Sequence, residues 1–238
     1  MKTVWRGALW LGVARIAVRM VTATEDHRVR FHLIHRADGG RVRHPQVCGT
    51  CGEQLAPDDI GRGYPLEDGR MVVMEDEDFP VPQADHAIEV QQFVPDGEID
   101  PMYLKRSYYL EPDATATRPY VVLREVLERE NAVAIVKVAL RSRATLAAIR
   151  ARDGLLVLQT MLWPDEIRPP EFPFLDRDTS ISTSDLASAS ALVKSMTRPF
   201  EPDEYRDDYR EALLRTIEER TALDIPSQAT ARDPIITS

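Results

Sequence analysis

Between Ala132 and Trp163 the chain sets three extended segments in direct succession, and this stretch limits the possible folds more than any other. Ala132 to Leu140 is a β-rich apolar run and Thr145 to Arg152 is a second. Asp153-Gly154 then supplies a tight turn before Leu155 to Trp163 returns. Short strands joined by turn signals specify a sheet or barrel rather than strand–helix–strand units. Further strands are expected at Met71 to Met74, Ile88 to Val94 and Ser107 to Leu110. Arg28 to His35 alternates, with Val29, Phe31 and Leu33 on one face and Arg28, Arg30 and His32 on the other, the pattern of a half-buried strand with a basic outer face. Asp38-Gly39-Gly40 turns it, and Arg41-Val42-Arg43 begins the return. Tyr120 to Asn131 reads as a helix, with Val122, Leu123, Val126 and Leu127 as its apolar positions.

After Trp163 the character changes. The proline-rich run Pro164 to Pro173 cannot hold regular structure, which puts a boundary near 165–180. A helix capped by Thr183 or Ser184 runs to about Met196, and Pro199 to Pro202 breaks the chain. A second helix over Asp203 to Arg220 places Tyr205, Tyr209, Leu213 and Ile217 four apart on one side. From about Thr221 the mixed small and polar residues read as a flexible tail. The expected organisation is a core over 1–172, a helical arm over 173–220 and a tail over 221–238.

Uncharged runs such as Leu155 to Pro164 fall far short of the roughly 20 residues a spanning helix needs. Lys2 and Arg6 precede an apolar stretch, but Arg15 and Arg19 interrupt it, so it reads as folded structure rather than a signal peptide. Two cysteines, three apart, make no secreted disulfide framework, and a cytoplasmic protein is expected.

The net charge of −9 argues against a nucleic-acid partner until its distribution is considered. Residues 1–45 carry +6, 46–101 carry −12, 102–160 carry +4 and 161–238 carry −7. Basic blocks that line one surface attract phosphate whatever the total. Arg28, Arg30, Arg36, Arg41 and Arg43 surround one hairpin; Lys137, Arg141, Arg143, Arg150 and Arg152 surround another. Such contacts position a duplex without reading its sequence.

Phosphate-loop, dinucleotide-binding, nucleophile-elbow and zinc-protease motifs are all missing, and the five histidines form no nucleophile system. Glu75-Asp76-Glu77-Asp78 is four adjacent carboxylates; a Mg²⁺-dependent nuclease is the sharp reading and a solvated loop the bland one. Cys48-Gly49-Thr50-Cys51-Gly52 looks like one knuckle of a zinc ribbon, but no second Cys-x-x-Cys completes four ligands. A tight turn with free thiols is expected there. A site using Cys48, Cys51 and His44 is the alternative, and redox chemistry lacks its usual strand–helix–strand setting.

These residues resemble the prokaryotic Ku proteins. The resemblance begins with Val4-Trp5-Arg6-Gly7, Leu11-Gly12-Val13, Thr22 to Glu25 and Phe31-His32. It continues through His35-Arg36 with Asp38 to Arg43, Val47-Cys48 with Cys51 to Glu53, Asp76 to Phe79, Phe93-Val94 and Ile99 to Pro101. It is densest at Ser107 to Asp113 and Leu155 to Glu166, and Glu171-Phe172 and Tyr209 to Leu213 carry it into the last helix, covering roughly residues 3–220.

The resemblance implies a mixed α+β fold: a β-barrel core with an inserted bridge and a C-terminal helical arm. It implies two copies joined as a homodimeric ring around double-stranded DNA ends, with DNA ligase D as partner in non-homologous end joining. It implies no catalytic residues, no cofactor and a nucleoid-associated protein. The resemblance carries DNA contacts only to matching basic positions such as Arg36, Arg41, Arg43, Arg141 and Arg143, and the two basic hairpins add Arg30, Lys137, Arg150 and Arg152 as expected contacts. The four-apart face of the last helix, Tyr205, Tyr209, Leu213 and Ile217, has little of its own domain to cover it after the proline-rich run and is the expected dimer contact. Two departures stand out. Many members are more basic where this chain has His44-Pro45-Gln46, and many carry a lysine-rich tail where Thr221 to Ser238 holds one Arg and two Asp. Functions tied to that tail, such as binding DNA away from ends, are not expected of it.

The readings separate by experiment. An end-binding module prefers linear DNA, a nuclease cleaves it with divalent metal, and a pure interaction protein ignores it at low salt.

Overall fold

A computed structural model describes residues 2–80, 86–140 and 143–222. The chain divides into two units, one from Met1–Asp26 and Gly61–Pro170, the other from His27–Ile60 and Glu171–Ser238.

The first unit is a closed barrel. Its strands are β1 (Thr3–Leu11), β2 (Ala14–Thr22), β5 (Ala87–Pro95), β6 (Leu104–Pro112), β7 (Ala132–Leu140), β8 (Arg143–Arg152) and β9 (Leu155–Met161), in the order β1-β2-β6-β9-β8-β7-β5. A separate hairpin joins β3 (Arg62–Pro65) to β4 (Met71–Met74). The alternation expected between Ala132 and Trp163 explains the core. Val136 and Val138 on β7, Ala147 and Ile149 on β8, and Leu156 and Leu158 on β9 all project into one buried cluster. Val133, Ala148 and Met161, on the opposite face, pack in a second with Tyr103 and Leu104. Asp153 and Gly154 both take left-handed φ, 49° and 77°, as the tight β8–β9 turn requires.

Closure depends on one parallel pairing, β1 with β5. Parallel neighbours cannot be joined by a hairpin, so the chain must leave after β2 and return before β5. At this seam the Ala8 N–H donates to the His86 carbonyl at 2.9 Å, and His86 Nδ1 lies 2.8 Å from the Arg6 carbonyl. Gly7 sits where a Cβ would stand 2.0 Å from the His86 oxygen and 2.4 Å from the Trp5 ring.

Helix α1 (Thr117–Arg129) covers part of the barrel with Tyr120, Leu123 and Leu127, whereas Val122 and Val126, expected on its apolar side, are exposed. Of the four expected apolar positions, only Leu123 and Leu127 are buried in the core cluster.

Among its described residues the second unit holds two α-helices, α2 (Thr183–Met196) and α3 (Asp208–Ala222). Ser182, rather than Thr183 or Ser184, caps α2 by accepting the Asp185 N–H at 3.1 Å. The last helix starts later than the periodicity predicts: Pro202–Glu204 forms a single 3-10 turn, and Tyr205 lies ahead of α3 rather than on it. Pro202 lacks the N–H that a continuous helix would need there. The proline-rich run after Trp163 also holds one 3-10 turn, Pro164–Glu166.

Candidate nucleic-acid interface

The first basic turn is built from backbone bonds. The His35 N–H donates to the Gly40 carbonyl at 2.8 Å, Val42 N–H to Leu33 at 2.9 Å, and Ile34 bridges Arg41. Asp38 locks the loop: its carboxylate accepts the Gly40 N–H at 2.8 Å and lies 3.0 Å from His35 Nδ1. The Gly40 amide first, then the His35 side chain, hold the Asp38 carboxyl below its ordinary value. The long alternating strand expected over Arg28 to His35 does not form, and one isolated bridge stands in its place. The physical reason lies in burial: Phe31 and Leu33 are 67% and 66% exposed, so among the described residues no layer covers the face that alternation would bury. Arg36, Arg41 and Arg43 all point to solvent, as does Arg30. Arg41 and Arg43 border a shallow cavity of about 460 Å³ with Phe31, His32, Leu33, Val42 and His44.

The second turn carries the cysteines. The Gly52 N–H donates to the Cys48 carbonyl at 2.9 Å, Cys48 N–H to Glu53 at 2.8 Å, and Val47 bridges Gln54. Both thiols are free. The Cys51 and Thr50 amides, with the Cys51 side chain, lower the Cys48 thiol from 9.0 to about 7. Among the described residues no three His, Cys, Asp or Glu side chains come together as a metal set, so His44 does not join the two thiols. The same holds for the acidic run. Asp76–Asp78 is one 3-10 turn in which the Asp78 carboxylate accepts the Glu75 N–H at 2.9 Å, and its residues face solvent.

The basic residues expected on the barrel are not gathered at one place. Lys137 is exposed on β7, opposite Leu146. Arg150 pairs with Asp96 at 3.1 Å and its side chain is only 21% exposed. Arg152 lies 3.6 Å from the Asp153 carboxylate. Arg143 opens β8, about 23 Å from Arg150 at a strand's rise per residue. Arg141 lies outside the described residues.

What Arg143 joins is a pocket that sequence reading missed. It encloses about 450 Å³ and is lined by Lys105, Arg106 and Arg143 together with Trp5, Tyr108 and Trp163. The pairing of β6 with β9 slips between Leu104 and Ser107, so Lys105 and Arg106 lie in the irregularity and both are exposed. Thr160 repairs the ladder there: its hydroxyl accepts the Arg106 N–H at 3.1 Å and donates to the Arg106 carbonyl at 3.4 Å. Lys105 pairs with Glu166 at 3.2 Å, and Glu166 also accepts the Trp163 N–H at 2.7 Å. The Trp163 amide first, then Lys105, hold the Glu166 carboxyl below its ordinary value. The signal available in the sequence was Lys105-Arg106 directly ahead of Ser107-Tyr108-Tyr109, a basic pair abutting aromatics.

On the arm, Tyr205 and Tyr209 are exposed, whereas Leu213 and Ile217 are partly buried. Exposed apolar groups extend through the same unit, among them Phe172, Phe174, Leu192, Met196 and Phe200. Among the described residues no helix is long and apolar enough to cross a membrane.

Residues 11–189 match the family model described as the Ku70/Ku80 beta-barrel domain. The chain is 46% identical over 227 residues to the non-homologous end joining protein Ku 2 of Saccharopolyspora erythraea, covering 93% of this chain and 74% of that one. It is 40% identical over 239 residues to the non-homologous end joining protein Ku of Mycobacterium tuberculosis, covering 98% and 87%. Against the protein of that description from Frankia casuarinae the identity is 43%, over 93% of this chain and 57% of the relative.

Proposed function

The chain belongs to the Ku family, and from that premise we propose that it binds ends of double-stranded DNA without regard to sequence in non-homologous end joining. It acts as a ring-shaped homodimer that recruits and stimulates DNA ligase D, a scaffold rather than an enzyme. The observation that carries this reading is the cluster of exposed arginines, Arg36, Arg41 and Arg43, on one rigid turn of an otherwise acidic chain. Arginines on a fixed turn meet phosphate oxygens in bidentate geometry, and phosphates look alike in every sequence. On the barrel, Lys137 and Arg143 are further phosphate contacts of this proposal; Arg150 and Arg152, each beside a carboxylate, contribute less. Residues 1–172 make the ring core, with the bridge drawn from the segment between β2 and β5. Residues 173–220 form the arm and 221–238 the tail.

The arm supplies the dimer contact. Its exposed Tyr209 and Phe200, with Leu213 and Ile217, are covered by a second copy, and burial contributes about 25 cal/mol per Å² of apolar area. Tyr205 joins that contact from ahead of the helix.

A closed ring reaches DNA only by threading over an end. Gel shifts should show tight binding to linear duplex and weak binding to relaxed circular plasmid. Light scattering should show a dimer at micromolar concentration, with Leu213→Asp losing both dimerisation and end binding. Equal affinity for circular and linear DNA, or a monomeric wild-type protein, contradicts the reading.

A further inference from the structure

A duplex offers a protein two different surfaces. Along its length the base faces are covered by stacking, and mainly phosphate and groove edges remain. An unpaired nucleotide also presents a bare aromatic face. Arginine turns suffice for the first. The barrel pocket has walls suited to the second, because Trp5, Tyr108 and Trp163 line it together with Arg106 and Arg143. Aromatic rings interleaved with cations are the means by which proteins hold single strands, since every base has a π-face.

We propose that this pocket takes an unpaired nucleotide of a single-stranded overhang, with phosphate against Arg106 and Arg143 and base against the aromatic wall. The proposal rests on the reading that the chain binds DNA ends, and adds a preference among ends. Its volume, about 450 Å³, lies within the roughly 300–1,000 Å³ of small-ligand sites. Arg106 and Arg143 have no acidic partner among the described residues, so their charge is available to a phosphate. Glu166 also borders the pocket. Its carboxylate is matched by Lys105 at 3.2 Å and by the Trp163 N–H at 2.7 Å, so the site keeps a positive balance. The Glu166 bond also fixes the backbone that carries the Trp163 ring. Thr160 does the same for Arg106.

The test compares three duplexes with the full chain: blunt, with a four-nucleotide thymidine overhang, and with an overhang of four abasic residues. The abasic strand retains the phosphates and lacks the bases, which separates stacking from charge. The thymidine overhang should bind about tenfold more tightly than the abasic one, the size expected for one stacked base. Equal affinity for the two overturns the proposal. Loss of binding to all three overturns the end-binding reading itself. Trp163→Ala should remove the base preference and leave blunt-end affinity in place, with Trp163→Phe intermediate. Trp5 packs on the barrel core, so it is not the residue to change. Independently of any variant, photocrosslinking of a 5-iodouracil overhang to the wild-type chain should map to Trp163, Tyr108 or Trp5, and crosslinks confined to other peptides refute the site. Free thymidine monophosphate has the same chemistry as an overhang nucleotide. Displacement of the overhang by micromolar free nucleotide would assign the pocket to that source and overturn the proposal.

Discussion

The Tyr120 hydroxyl accepts the Leu156 N–H at 2.7 Å, and on its other side it donates to the Leu110 carbonyl at 2.6 Å. Leu110 and Leu156 are register partners on β6 and β9, so a side chain from α1 is stitched into the barrel ladder. Burial, the largest influence, pushes the Tyr120 phenol up and keeps it neutral, able to donate and accept at once. Tyr120→Phe leaves a buried N–H and a buried carbonyl without partners, which costs about 1–3 kcal/mol. Denaturant unfolding should show a lower midpoint with an unchanged slope; an unchanged midpoint would mean that α1 does not tie these strands.

A second prediction concerns barrel closure. Gly7→Ala drives a methyl group into the His86 carbonyl, which cannot retreat without breaking its 2.9 Å bond from the Ala8 N–H. Overpacking of this kind costs about 1–3 kcal/mol. Hydrogen exchange should rise first at the β1–β5 seam, and a variant as stable as the wild type would show that the seam can shift freely.

The Cys48 thiol provides a pH-dependent readout. Its value of about 7 makes the thiolate, the form that reacts, half populated near neutral pH. Iodoacetamide labelling of Cys48, followed by mass spectrometry, should rise with a midpoint near 7. Because the folded value is lowered, the stabilisation is complete above the ordinary thiol value of 9.0 and fades as pH falls through about 7. A midpoint near 9 contradicts the turn geometry.

The arginine turn predicts a salt response. Each neutralised phosphate contributes about −0.9 to the slope of log K against log salt. Arg41→Glu with Arg43→Glu should weaken end binding and flatten that slope, to a similar degree for unrelated blunt duplexes. Reversing Arg215 and Arg220 on α3 should change it much less. The measurement is affinity across a salt series, with the dimer checked in parallel; an unchanged slope in the hairpin variant removes this surface from the interface.

Strand identity in the barrel was determined locally. Period-two alternation from Ala132 onward and the left-handed Asp153-Gly154 turn are properties of neighbouring residues, readable before any fold exists. So was the arginine turn, because Asp38 and Gly40 close it within the loop. What only the tertiary structure decided was which cations share a surface. Lys105 and Arg106 reach Arg143 because β6, β9 and β8 are neighbours, and a slip in the β6–β9 register carries the two of them at the pocket's edge. Arg150 looked like one more basic residue until Asp96, 54 positions away, took it as a partner. Alternation likewise promised Phe31 and Leu33 a buried face, but burial needs a second layer, and a layer is supplied by distant chain or not at all. Short-range bonds depend on adjacent residues, whereas burial and charge pairing depend on which remote segments the closed barrel brings together.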